Sequence, residues 1–415
     1  MSSRRVFLKN SGLAMVGLGS VPTWLTRAVF AKDAPGQRKK VLIAIFQRGA
    51  VDGLNVVVPH GESAYYAMRP SIAIRRPNGT EDAVIDLDGH FGLHPALRSL
   101  KPLWDEKHLA IVEAVGSPDP TRSHFDAQDY MESGTPGLKA TSDGWLNRAL
   151  RHEVTPSALR AVSIGSDLPR SLRGRNEALA LSSISDFQLK DARAASVFES
   201  LYGASADRIL NGTARETFEA VRMMQSIHKK PYSPANNAEY PNGRLGQSLV
   251  QIARIIKADV ALEVAFTDVG GWDTHVNEVG PQPHTGQLAN LLRDFGESIA
   301  AFSRDMGDRM DDITVVTMSE FGRTARENGN RGTDHGHANI MFVLGGQVRG
   351  GCVHGTWPGL ATEQLYEGRD LNVTTDFRAV LSQVVATQLG NGELATVFPG
   401  FRPGAETADR LRLFA

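Results

Sequence analysis

Apolar positions along the chain fall into two patterns. Short unbroken runs such as Val41-Leu42-Ile43-Ala44-Ile45-Phe46 lack the alternation of a half-exposed strand, and predict strands covered on both faces. Further runs of this kind lie at 54–58, stopped by Pro59, and at 108–115, 159–164, 260–267, 313–318 and 340–344. Between them the apolar residues recur with helical spacing. Leu288, Leu291, Leu292, Phe295, Ile299, Phe302 and Met306 make one stripe, with Thr285 placed to cap its helix. Phe377, Val380, Leu381, Val384, Val385 and Leu389 make another, with Gly390 as a stop. Residues 206–227 and 245–256 also read as helices, and the polar, proline-containing stretch 229–237 as an exposed loop. Strands alternating with helices predict an α/β fold with a mostly parallel sheet covered on both faces. Such sheets carry their sites at the carboxyl ends of the strands.

Three polar clusters adjoin those runs. Gly271-Trp272-Asp273-Thr274-His275 follows one, Ser319-Glu320-Phe321-Gly322-Arg323 follows another, and Gly332-Thr333-Asp334-His335-Gly336-His337-Ala338-Asn339 adjoins a third. Imidazoles and carboxylates are costly to bury unless paired or metal-bound, so one shared site is expected. Gly336 is expected to relax the backbone so that His335 and His337 converge. Asp273 either ligates an ion with His275 or caps a turn, and Glu320 either faces a site or pairs with Arg323. Asp52, between Gly49 and Gly53, is open to the same two readings, cation ligand or turn former. In Arg122-Ser123-His124-Phe125-Asp126, Ser123 is either a nucleophile or a helix cap, and His124 and Asp126 are candidates to line the site.

Charge changes this picture little. The chain of 415 residues has 45 Lys and Arg against 46 Asp and Glu, a balance that gives no reason to expect nucleic acid as a partner. One cysteine, Cys352, excludes an intramolecular disulfide and reads as a small buried filler. The N-terminus changes more. Ser3-Arg4-Arg5-Val6-Phe7-Leu8-Lys9 precedes a glycine-interrupted apolar stretch and a small-residue cleavage site at Val29-Phe30-Ala31. It predicts a twin-arginine signal peptide over 1–31, the twin-arginine translocase as a partner, and a periplasmic or extracellular protein without a stable membrane span after cleavage. Residues 32–415 then form one domain with loop and helical insertions. Export of a folded protein by this route favours a cofactor-bearing site.

The ordered motifs Arg48-Gly49-Ala50-Val51-Asp52-Gly53-Leu54-Asn55, Arg122-Ser123-His124-Phe125-Asp126, Gly271 to His275, Ser319 to Thr324 and Asp334 to Asn339 resemble a bacterial family known only as domain of unknown function 1501. That family is similar to the alkaline phosphatase and sulfatase superfamily. The resemblance implies a three-layer α/β/α core and a divalent metal (Zn, Mn or Ca) at strand ends. It places Asp52, Asp273, His275, Glu320 and either His335 or His337 as ligands, and the cluster itself adds Asp334 and the other histidine as candidates. The resemblance also implies hydrolysis of a phosphate or sulfate ester. The catalytic candidates are Ser123 or a metal-bound water as the attacking group, His124 lining the site, and Arg122 or Arg323 to stabilise an anionic ester. Phe321 stands where the superfamily has a His, and no formylglycine signature is present. The competing expectation is a non-catalytic binding or assembly protein of the envelope that keeps the fold. The partners are accordingly a small anionic ester or an envelope protein.

Overall fold

The side chains of β1 (Val41–Gln47) are buried along its whole length and alternate between two cores. Val41, Ile43 and Ile45 enter one, and Leu42, Ala44 and Phe46 enter the other, as the period of two requires. This strand is central in a sheet built from β5 (Leu109–Gly116), β6 (Ala161–Ile164), β7 (Leu179–Leu181), β8 (Val264–Val269), β9 (Ile313–Met318), β10 (Asn339–Gly345), β11 (Cys352–His354) and β12 (Thr375–Asp376). The order is β11-β5-β10-β9-β1-β8-β6-β7, with β12 also on β5. A small antiparallel sheet of β2 (Val57–Val58), β3 (Ile85–Asp86) and β4 (Gly92–Leu93) stands apart. The computed structural model describes residues 39–139, 141–151, 159–187, 223–402, 404 and 411–414. The signal peptide expected at 1–31 and most of the helix expected at 206–227 lie outside the described residues.

Four helices build the layers and the site edge: α1 (His124–Ser133), α2 (Arg244–Lys257), α3 (Gln287–Met306) and α4 (Phe377–Gln388). Apolar residues of α2 and α3 join the Ile43 core, and those of α4 join the Phe46 core. The result is the α/β/α layering that the resemblance implied. Truncating a residue such as Ile45 or Phe46 would cost about 2–5 kcal/mol through lost transfer energy and the cavity left behind.

Sheet direction decides where the clusters meet. β1 is parallel to β8 and β9, β8 to β6, and β6 to β7. β10 alone runs against its neighbours, pairing antiparallel with β9 and β5. Its amino end therefore lies beside the carboxyl ends of β5 and β9. The double-His cluster precedes β10 and still reaches the same edge as the other two.

Several local expectations are corrected. The run at 54–58 divides into a helical turn (Gly53–Val56) and the two-residue β2. Thr285 does not cap α3: Gly286 is the N-cap, and the Thr285 hydroxyl donates to the Gln282 carbonyl. Cys352 is exposed on β11, not a buried filler, because β11 is an edge strand of the sheet.

Candidate metal centre

The parallel strands stop together, in register Gln47 with Val269 and Phe46 with Met318. Each then releases a polar loop at one edge. After β8, Trp272 anchors the loop: its ring is 1% exposed, packs edge-on to Phe295, and donates Nε1–H to the Val269 carbonyl at 3.1 Å. Asp273 and His275 follow. After β5 the chain runs to Ser123, which caps α1, so that His124 is the first helical residue. Gly336 lies against the backbone of Arg323 and Thr324, where a Cβ would collide, and this close approach brings His335 to the loop after β9.

There His335 Nε2 lies 2.9 Å from His124 Nε2 and 2.9 Å from His275 Nε2. Asp273 Oδ1 is 3.0 Å from His275 Nε2, 3.5 Å from His335 Nε2 and 3.6 Å from His124 Nε2. The other nitrogen of each ring decides the chemistry. His124 Nδ1 faces Glu320 Oε1 at 2.7 Å, His275 Nδ1 faces Asp334 Oδ1 at 3.2 Å, and His335 Nδ1 faces the Arg122 carbonyl at 2.9 Å. Carbonyls and ionised carboxylates only accept, so each Nδ1 carries the hydrogen and each neutral ring turns its Nε2 lone pair toward the group. Lone pairs 2.9 Å apart repel unless a cation lies among them. One proton satisfies one such contact, whereas a metal ion satisfies several. Donors around zinc at ~2.0–2.1 Å lie about 3.3 Å apart in a tetrahedron. The observed separations of 2.9–3.6 Å bracket that figure. The residues present therefore fit a divalent ion, with His124, Asp273 and His335 mutually close and His275 touching two of them.

Buried groups around the rings fix this arrangement. Glu320 Oε1 accepts from Gly49 N and Gln128 Nε2, both at 2.8 Å. Burial pushes the Glu320 carboxyl up, but His124, Gln128 and the Gly49 N–H outweigh it and hold it below its usual range. Its bond to His124 is the main cause of a raised imidazole pKa there, while burial first and then His124 lower that of His335. Asp273 is likewise held low: burial opposes ionisation, and Arg323, His275 and His124 prevail. Phe321 is 3% exposed and packs against the rings of His124 and His335 at 4.9 and 5.0 Å.

Other expected site residues lie elsewhere or have other partners. Asp52 is 1% exposed, and Arg69 donates to both of its oxygens, with Nη2 to Oδ1 at 2.9 Å. An ion pair replaces the expected cation. Glu320 and Asp334 touch rings by their Nδ1 side, and so orient donors rather than join them. His337 does not converge with His335. Its Nε2 meets the Ser117 carbonyl at 3.2 Å and its ring packs on Tyr366: a regular strand would put residues two apart on one face, but the chain bends at His337 and turns its ring away. Arg323 is not free for an anion. Its guanidinium is buried and spent on the carbonyls of Gly49, Ala50, Trp272 and Thr333 and on Asp273 Oδ1 at 2.6 Å, with Nη1 also 3.4 Å from His275 Nε2. Arg122 pairs with Asp370 and Glu367. Ser123 Oγ accepts from the Asp126 N–H at 3.5 Å, the bond of a cap rather than of an activated nucleophile. Asp126 pairs with Lys139 at 2.5 Å.

Two contributors were not singled out from the sequence. Gln128 stands one turn after His124 on the same helix face, a spacing that could have flagged it. Glu278 is fully buried, and its Oε2 accepts from Thr274 Oγ1 at 3.2 Å and Thr333 Oγ1 at 3.0 Å. It ties the loop bearing Asp273 and His275 to the loop bearing Asp334 and His335. Burial, then the neighbouring Asp52, push its carboxyl well above the usual range. No sequence signal marks it.

None of the curated proteins matches this chain significantly. Among solved structures, the lipoteichoic acid synthase LtaP from Listeria monocytogenes is 10% identical, over 74% of this chain and 65% of that one, with a TM-score of 0.31. The chain thus spans about 65% of the length of that protein. The zinc complex of the C-terminal periplasmic domain of EcEptC from Escherichia coli is 10% identical over 76% and 74%, with a TM-score of 0.33. The PsFucS1 sulfatase from Pseudoalteromonas sp. is 11% identical over 94% and 75%, with a TM-score of 0.38. These likenesses are distant, and the layers and site rest on the contacts within this chain. Residues 107–393, from just before β5 to beyond α4, match the family described as protein of unknown function (DUF1501), and the chain belongs to that family.

Proposed function

We propose that the protein is an exported, metal-dependent hydrolase of a phosphate or sulfate ester. The observation that carries the metal reading is the shared orientation of three imidazoles. Each commits Nδ1–H to an oxygen and turns Nε2 toward its neighbours and Asp273. His124, Asp273 and His335 would hold a zinc, manganese or calcium ion, with His275 as a further donor. When bound, such an ion polarises an ester oxygen and offsets the charge of the reacting group. The chain's own residues do the rest. Glu320 and Asp334 set the ring tautomers, Arg323 fixes Asp273, and Phe321 keeps water from the inner side. Asp273 remains half-exposed, which leaves the outer side open to an ester. The resemblance to the alkaline phosphatase superfamily supports the ester class, and the Arg4-Arg5 motif with its following apolar stretch supports export by the twin-arginine translocase to the periplasm or beyond. Among the described residues no helix is long and apolar enough to cross a membrane.

A second reading, a non-catalytic envelope protein with a structural metal, is favoured by Ser123, whose hydroxyl caps α1 and meets no base. Protein recovered from its exporting host, assayed on aryl phosphates and aryl sulfates with each metal, separates the two. Turnover of one ester class that needs metal and falls more than about 100-fold in His335→Ala is expected. Metal-loaded protein without turnover of either class would overturn the hydrolase reading.

A further inference from the structure

A cavity of about 600 Å³ opens beside the metal centre at the same sheet edge, within the range of small-molecule sites. One wall is a face of α1: Phe125, Gln128, Asp129 and Glu132 follow the i, i+3, i+4, i+7 spacing of a single stripe. Its floor is Arg48, whose fork holds Gln128 and Glu132 at 2.9 Å and Asp268 at 2.6 Å. Gln128 in turn donates to Glu320, which holds His124, so a short run of hydrogen bonds joins the cavity floor to the metal centre.

The lining has both signs of charge, largely paired. Arg48 meets Glu132 and Asp268, Arg244 meets Asp268, and Arg170 meets Asp129. A polyanion would meet several carboxylates, and a cation would meet several guanidinium groups. A neutral polyol uses what remains, since each hydroxyl both donates and accepts and charged partners make the stronger hydrogen bonds. At the rim, Phe125 is 89% exposed although it adjoins His124 in the chain. A bare aromatic face beside polar walls suits a ring with one apolar face and a polar circumference.

We propose that this cavity seats a saccharide portion of the substrate, with Phe125 as its stacking platform and Asp129 and the exposed Ser166 and Asp167 binding its hydroxyls, while Arg48 and the buried Glu132 hold the wall in place. The inference rests on the ester-hydrolase reading for the term substrate, but the binding site itself is testable without turnover. The full exported protein would be screened by ligand-observed NMR against a panel of neutral mono- and disaccharides, alongside a dipeptide zwitterion. The expected result is binding of at least one saccharide, weakened about tenfold in Phe125→Ala as loss of one stacking contact implies. Asp129→Ala is expected to weaken it as well. His335→Ala is expected to keep saccharide binding, since it does not line the cavity. If saccharide binding persists while no ester is turned over, the cavity assignment stands and only the hydrolase reading fails. Absence of binding by every saccharide, preference for the dipeptide, or binding indifferent to Phe125→Ala would overturn the proposal.

Discussion

Asp52 and Asp273 both follow apolar parallel strands at one edge of the sheet, and both meet a buried arginine, yet they end in opposite states. Asp52 is 1% exposed and gives both oxygens to Arg69. Asp273 has a side chain 47% exposed, gives Oδ1 to Arg323, and leaves that oxygen facing three Nε2 atoms. The first carboxylate is saturated and structural. The second is held in place and still under-coordinated on the side where the imidazoles gather. Residue type and position relative to a strand do not separate the two. The partners and the access of solvent do.

Arg69→Met should set the two carboxylates apart most strongly. It strands Asp52 in the core and is expected to cost about 3–5 kcal/mol of stability, read by denaturant unfolding, whether or not metal is present. A smaller effect is expected at Glu278, which links the saturated side to the ligand loops. Glu278→Leu removes the acceptor shared by Thr274 and Thr333 and should weaken metal binding about 10–100-fold by calorimetry. Glu278→Gln keeps an acceptor oxygen and should stay close to the wild type. Smallest is a second saturated carboxylate, Asp305. It is fully buried and accepts from Lys257, the Ala235 N–H, and the hydroxyls of Tyr232 and Tyr240. Burial pushes its carboxyl up, but those donors hold it below its ordinary value. A depressed folded pKa stabilises above the unfolded pKa, and that contribution is lost as pH falls through the folded value. Asp305→Asn should therefore cost about 1 kcal/mol near neutral pH and progressively less in acid, measured by unfolding across that range.

The layers were legible in the sequence because buried strands leave unbroken apolar runs, as at Ile313–Met318, which the structure reproduces residue for residue. Strand direction was not legible. Nothing in the run at 340–344 says that β10 is antiparallel, although that reversal is what brings His335 to the shared edge. At the site, the clusters containing Asp273, His275 and His335 were visible as dense polar motifs beside apolar runs, and they meet in the structure. The roles of Asp52 and His337 were not visible. Arg69, which saturates Asp52, lies in a segment without any such motif, and the direction of His337 depends on a bend in the chain at that residue. Glu278 was invisible because burial of a lone acid has no local signature.

A cation gathered by the imidazole lone pairs and Asp273 is the feature on which the functional reading depends. Titration of metal-free protein with zinc by calorimetry probes it directly, on the wild type and on His335→Ala, with thermal unfolding of both metal-free forms as a control. The expected result is one tightly bound ion per chain in the wild type, loss of that binding in the variant, and similar unfolding of the two metal-free proteins. Equal zinc uptake by wild type and variant, or none by either, would contradict it.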